Sequence, residues 1–364
     1  MTPHRPPFTA TSSRRRARPR HQQAPRLHLL GLVLVTMTLS ALFAACGGGG
    51  PSSQSLVLYS GQHVQTTQSL VAAFEKSTGI HVSVRFNDES VFANEIVEEA
   101  SHPKADLFYT ENSPALEYLQ ERGLLAPVSA STLANVPAKY DSPEGDWVGV
   151  SARVSLLIYN PHVIPASDLP ASVLQLASKR YRGLLALAPG ETDFQPIVTA
   201  VARAYGTGRA LDWLKGLKAN AAGHIYPDNE TITAQVNRGA AGLGVINQYY
   251  WYRLGAEVGA GSIRSKLAFF APHDPGYVVD ISGAAVLKSS KHKAAAEAFL
   301  AFLVSKQAQE IIAHSESFEY PIAHGVQPSA HEVPFGQLQP YPITIAQLGD
   351  GSLALSLLQK ANLL

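Results

Sequence analysis

Leu56-Val57-Leu58-Tyr59-Ser60-Gly61-Gln62-His63 opens the folded body of this 364-residue chain, and the pattern that follows it sets the fold class. Leu56 to Tyr59 is a short continuous apolar run and reads as a buried strand. Thr66 to Ser77 has helical spacing closed by Gly79, and His81 to Phe86 alternates with Val82, Val84 and Phe86 on one face. The unit is βαβ. Next come a helix carrying Ala93, Ile96, Val97 and Ala100, and a strand from Ala105 to Tyr109. A further helix has Ser113 as expected N-cap, Pro114 at its first position and Gly123 just past its end. Repeated βα units predict an α/β fold, a mainly parallel sheet with helices on both faces.

The alternation continues toward the C-terminus. Strands are expected at Val154 to Tyr159, Leu184 to Leu187, Gly242 to Gln248 and Tyr277 to Leu287, with helices at Phe194 to Tyr205 and Gly208 to Leu217. Lys291 to His314 reads as one amphipathic helix. At roughly 150 residues per domain, a body of this length predicts two lobes.

Before the body, the first 26 residues are basic and Pro-rich, and Leu27 to Ala45 is almost continuously apolar up to Cys46. Residues 1–45 therefore read as an export signal. The small residues before the chain's single cysteine resemble a bacterial lipobox, which implies lipidation of Cys46. Phe43 is unusual for such a box, and a retained transmembrane anchor is the alternative. Residues 46–55, rich in Gly and Ser, would form a flexible tether. The body then faces outward beside a membrane.

Composition narrows the chemistry. All seven arginines before Cys46 lie ahead of any acid, which leaves 22 Lys and Arg against 28 acids, about −6, for the remainder. Such a body is a poor nucleic-acid binder. One cysteine makes neither an internal disulfide nor a thiolate zinc site. Oxygen and nitrogen donors are left.

Ligands in open α/β sheets sit outside the carboxyl ends of strands. Ser60-Gly61-Gln62-His63 follows the first strand and Thr110-Glu111-Asn112 the third, so His63 and Glu111 can share a crevice although 48 positions separate them. Asn247-Gln248-Tyr249-Tyr250-Trp251-Tyr252 follows the strand containing Gly242 and Gly244. Where the chain turns at a strand end, both tyrosine hydroxyls can point to one site. Taken alone, an aromatic run of this kind is more commonly half-buried core.

Together these segments carry a resemblance. Tyr59 to His63, Asp106-Leu107-Phe108-Tyr109-Thr110-Glu111, Asp212 to Lys218, Asn247 to Tyr252, His273-Asp274-Pro275-Gly276 and Ser282 to Leu287 resemble the ferric-ion-binding proteins of bacterial iron ABC transporters, in order, from about Leu56 to at least Pro321. The resemblance implies a two-lobed periplasmic-binding-protein-like fold (class II) with the ligand cleft between lobes and two crossover strands. Lobe 1 would hold residues 55–153 and 280–330, lobe 2 residues 154–279 and 331–364. It implies His63, Glu111, Tyr249 and Tyr250 as ligands of transported Fe3+. Asn229 and Asn247 match positions that anchor a synergistic anion, and Arg153 matches an arginine near the cleft, with a structural ion pair as the equal alternative. The partners implied are an ABC permease and its ATPase, the chain itself being a monomer.

The donor chemistry stands beside the resemblance. One carboxylate and two phenolates supply three negative charges to a trivalent cation, and imidazole adds a neutral donor. Hard oxygen donors suit ferric iron and not the metals that prefer thiolates. Two octahedral positions stay open for water or an anion such as carbonate, citrate or phosphate.

One segment departs from the family. Where better-known members have a short Ser-Gly-Ala turn that binds phosphate, this chain has Pro189-Gly190-Glu191-Thr192-Asp193-Phe194. Thr192 with Gln195 fits a capping box, and Glu191 and Asp193 complement a helix dipole. Helix capping is their expected role, with an altered anion site as its consequence.

The histidines at 81, 102, 273, 292, 314, 324 and 331 lack paired metal spacing. No G-x-S-x-G elbow or P-loop appears, so an enzymatic function is not expected. The competing readings are another solute on the same scaffold (a phosphonate, thiamine, or a sugar stacked on the tyrosines and Trp251) and an unrecognised extracellular hydrolase.

Overall fold

The computed structural model describes residues 55–364 apart from 101, 103 and 329–332; the export signal, Cys46, nearly all of the tether and His331 lie outside the described residues. Strand β1 (Ser55–Ser60) pairs in parallel with β2 (His81–Phe86) and β3 (Leu107–Thr110). Between them run α1 (Val64–Thr78) and α2 (Glu89–Glu98). Helix α1 buries Leu70, Val71 and Phe74 on the sheet and stops at Gly79, whose φ of 72° is left-handed and favours glycine. The opening βαβ reading holds.

Helix α3 (Ser113–Gln120) starts one residue earlier than expected, with Asn112 rather than Ser113 at the N-cap. Asn112 makes no cap hydrogen bond, because its amide is engaged by tertiary partners. After the short helix α4 (Ala130–Leu133) comes β4 (Val148–Tyr159), buried along all twelve residues. Sequence periodicity reached only its second half, since Gly149, Ser151 and Arg153 disguise the first. Ser151 and Arg153 find a hydrogen-bond partner in the distant Glu319, which a local pattern cannot reveal.

Strand β5 (Leu185–Ala186) and β6 (Leu243–Asn247) are parallel neighbours. Between them lie α5 (Phe194–Tyr205), α6 (Thr207–Asn220) and α7 (Asn229–Asn237). Helix α8 (Gln248–Val258) leaves β6 directly, and β7 (Lys266–Ala268) and β8 (Val279–Val286) follow. The strand order is β2-β1-β3-β8-β4-β6-β5. Strand β4 joins both ends of that path: Val148 to Val154 pair with β8, and Ser155 to Tyr159 pair with β6, both antiparallel. The expected mainly parallel sheet is therefore mixed, because the long strands β4 and β8 run against their neighbours.

The expected single helix from Lys291 to His314 is two, α9 (Lys293–Leu303) and α10 (Lys306–Ala313). Ser305 breaks it by accepting a hydrogen bond from the Ala308 amide, which caps a new N-terminus. Strand β9 (Tyr320–Pro321) pairs with β4 at Ser151 and Ala152. Helices α11 (Ile345–Leu348) and α12 (Ser352–Lys360) finish the chain, α12 packing on α5 and α6. Among the described residues no helix is long and apolar enough to cross a membrane.

Candidate metal centre

His63 leaves the end of β1 at the N-cap of α1, and Glu111 follows β3, so both stand at carboxyl ends of adjacent parallel strands. The His63 Nδ1 lies 3.1 Å from Glu111 Oε1. Two features hold these loops. Gly61 lies so close to Glu89 that an added Cβ would meet the Glu89 Cβ at 2.7 Å. The buried Glu89 Oε2 accepts the backbone N–H groups of Glu111 at 2.7 Å and Asn112 at 2.9 Å.

Tyr249 and Tyr250 lie in the first turn of α8 rather than on a strand end, so successive side chains diverge by about 100° instead of 180°. Their rings pack 4.1 Å apart between centroids, and His63 meets Tyr249 edge-on at 4.9 Å. Both phenols are buried. The His63 Nε2 is also buried and has no hydrogen-bond partner, leaving its lone pair free for a Lewis acid when Nδ1 carries the proton toward Glu111. The structure thus gathers the four residues expected to be ligands.

It also brings Asp193 against the two phenols. Both phenol hydroxyls donate to one oxygen of Asp193, Tyr250 at 2.9 Å and Tyr249 at 3.3 Å. Asn229 donates to the same oxygen at 3.3 Å, and Asn112 to the other at 3.3 Å. The capping box expected of Thr192 and Gln195 does not form, and Asp193 brings its charge to the helix N-terminus without a cap bond. Asp193 occupies the N-cap position of α5, and Thr192 accepts from Asn112 at 3.1 Å. The available sequence signal was a carboxylate standing where the resembled family receives an anion. Glu191 faces an open cavity of about 560 Å³ together with His63, Glu111, Tyr250, Glu230 and Arg253.

Asn247 is at the N-cap of α8 with its Nδ2 unpaired, lining with Asn229 and Asp193 a small enclosed space. Arg153 is fully buried and pairs with Glu319 at 2.5 Å, so the ion-pair reading holds, while its guanidinium also lies 5.8 Å from the Tyr249 ring. Trp251 turns its indole N–H to Ser265. Among the described residues no three or more His, Cys, Asp or Glu side chains form a metal-holding group.

The electrostatics suit a strong cation. Burial first, then Asp193 and Glu111, push both phenols well above their ordinary value of 10. Burial likewise raises Glu111 well above the usual carboxylate range, opposed by Arg153, and raises Glu191 to about 8. His63 is held well below 6.5 by burial and by Arg253 and Arg153, so it is neutral. Several acids crowded out of water with little compensating charge make a site that a multivalent cation would relieve.

Residues 102–336 match the family model described as bacterial extracellular solute-binding protein. The chain is 37% identical over 340 residues to the Fe(3+)-binding periplasmic protein of Serratia marcescens, covering 93% of this chain and all of that protein. Iron-bound HitA from Pseudomonas aeruginosa superposes with a TM-score of 0.81 at 41% identity, over 85% of this chain and 99% of the other. The Trichodesmium protein solved in complex with iron and citrate gives a TM-score of 0.74 at 29% identity, over 84% and 99%.

Proposed function

Because the chain belongs to the bacterial extracellular solute-binding proteins, as a non-enzymatic periplasmic ferric-iron-binding member serving iron uptake, we propose that it holds Fe3+ through His63, Glu111, Tyr249, Tyr250 and Asp193. The observation that carries this reading is the convergence of both phenols on one Asp193 oxygen, with His63 and Glu111 packed against Tyr249. Two phenolates and two carboxylates bring four negative charges to a 3+ ion, with imidazole as a neutral donor. A further anion would meet a shell already net negative. Asp193 takes the place for which carbonate, citrate or phosphate was expected, and Asn229 orients that carboxylate.

Wild-type protein mixed with ferric citrate should develop the visible charge-transfer band of iron-bound phenolate, with the same affinity whether or not phosphate or carbonate is present. Asp193→Ala should bind iron at least about 10-fold more weakly, and added carbonate or phosphate should restore much of the loss. A wild-type protein that needs phosphate to bind tightly would remove Asp193 from the shell.

The split of donors supports a hinge. His63 and Glu111 come from the segment assigned to lobe 1 (residues 55–153 and 280–330), the tyrosines and Asp193 from lobe 2 (residues 154–279 and 331–364). Strands β4 and β8 are the two crossovers of this assignment. Asn112 then bridges the lobes in the closed form through Thr192 and Asp193. Closure ties iron capture to a change of shape that an ABC permease and its ATPase can read. Small-angle scattering should show a smaller radius of gyration with iron than without; superimposable profiles at saturating iron would refute the coupling. Lipidation at Cys46 would keep this monomeric receptor at the outer face of the cytoplasmic membrane.

A further inference from the structure

Each of two iron-site side chains is preceded by a glutamine, Gln62 before His63 and Gln248 before Tyr249, and both glutamines reach the same distant segment, Phe318-Glu319. Gln62 Nε2 donates to Glu319 Oε2 at 3.1 Å and to Ser282 at 2.9 Å, while its Oε1 accepts the His63 backbone N–H at 2.7 Å. Gln248 Nε2 donates to the Phe318 carbonyl at 2.9 Å, and its Oε1 accepts the Val154 N–H at 2.8 Å. Glu319 is 1% exposed and also accepts from Arg153 at 2.5 Å and Ser151 at 2.9 Å, both on β4. Arg153 in turn donates to Asn112 at 3.3 Å, and Ser282 donates to the Thr110 carbonyl at 2.6 Å, so the Glu111 loop is tied to the same hub.

The hub is held in an unusual backbone. Phe318 is one of three non-glycine residues with positive φ among those described, at 53°, and its ring stacks on Tyr252 of α8 at 5.8 Å. A left-handed conformation in a bulky residue costs energy and persists only where its surroundings enforce it.

Resting on the ferric reading above, we propose that Phe318-Glu319 is a clasp that sets the His63 and Glu111 loops against the Tyr249 helix, with Glu319 as a positioning residue for the metal site. Glu319 acts in two ways. It fixes Gln62, and through it the backbone that aims His63. It also neutralises Arg153, whose charge would otherwise lie unpaired beside the tyrosines and oppose the cation. Outer residues that orient metal ligands change affinity by roughly 10- to 100-fold when removed.

The test compares wild type, Glu319→Gln and Gln62→Met by ferric citrate titration, visible spectrum and metal-free melting temperature. Both variants should lose about 10- to 100-fold in iron affinity and shift the phenolate band. Since Glu319→Gln breaks a buried ion pair and can fail to fold, Gln62→Met decides: it leaves the Arg153–Glu319 pair intact and should keep a near-normal metal-free melting temperature. Wild-type affinity and band in Gln62→Met would overturn the inference, as would a Glu319→Gln protein that melts early yet binds iron normally. A wild-type protein that takes up no iron would instead refute the ferric reading itself.

Discussion

Replacing Tyr249 and Tyr250 together by phenylalanine should abolish the visible colour of the iron-loaded protein and lower its ferric affinity by more than about 10⁴-fold. Removing an outer partner of a ligand already costs roughly 10- to 100-fold, and here two anionic donors go at once. Each single variant should stay coloured with a shifted band, because one phenolate remains. Phenylalanine preserves the ring packing between the two side chains and against His63, so the metal-free fold should persist and the loss should read as coordination. The measurement is a ferric citrate titration followed by absorbance, with circular dichroism as the control for folding. Colour retained in the double variant would move the ligand role to other residues.

Iron affinity should fall steeply with acid. Burial, Asp193 and Glu111 hold both phenols well above 10, so each is protonated in the metal-free protein throughout the physiological range. Coordination must expel both protons. Every unit of falling pH therefore costs about 100-fold in affinity, or about 10⁴-fold between pH 7.5 and 5.5. Glu111 steepens the slope: its raised pKa means that, over the range where it is still protonated in the free protein, a third proton is released and the cost approaches 1000-fold per unit. His63 adds less to the slope than an ordinary histidine would. An unperturbed histidine would add protonation below about pH 6.5, but burial and two arginines keep this one neutral to lower pH. Competition against a chelator whose own protonation is corrected gives the slope directly. A slope near zero between pH 5 and 7.5 would eliminate bis-phenolate binding.

Much of the fold was legible because its first elements follow local rules. The Leu56 to Phe86 unit has period-consistent apolar residues and a glycine stop, and both ends behave as the pattern demands. Helix α5 lies at Phe194–Tyr205, as its apolar stripe indicates. The break between α9 and α10 was hidden inside one continuous amphipathic pattern, since a serine that caps and a serine that merely faces solvent are the same letter. The hidden half of β4 has a related cause: Ser151 and Arg153 look unsuited to a central strand until Glu319, more than 160 positions away, supplies their partner.

By itself, the sequence determined the α/β class, the placing of His63 and Glu111 at strand ends, and a donor set of oxygen and nitrogen suited to a hard trivalent cation. Residue type carries charge and hardness, and strand ends carry loops, so these follow from chemistry and local periodicity. Tertiary structure decided what Asp193 does. The same side chain can cap a helix or face two phenols, and the choice depends on whether Tyr249, Tyr250 and Asn229 are brought within hydrogen-bonding distance of it. That approach depends on packing between segments more than 30 positions apart, where a hydrogen bond of about 3 Å outweighs any local preference of the turn.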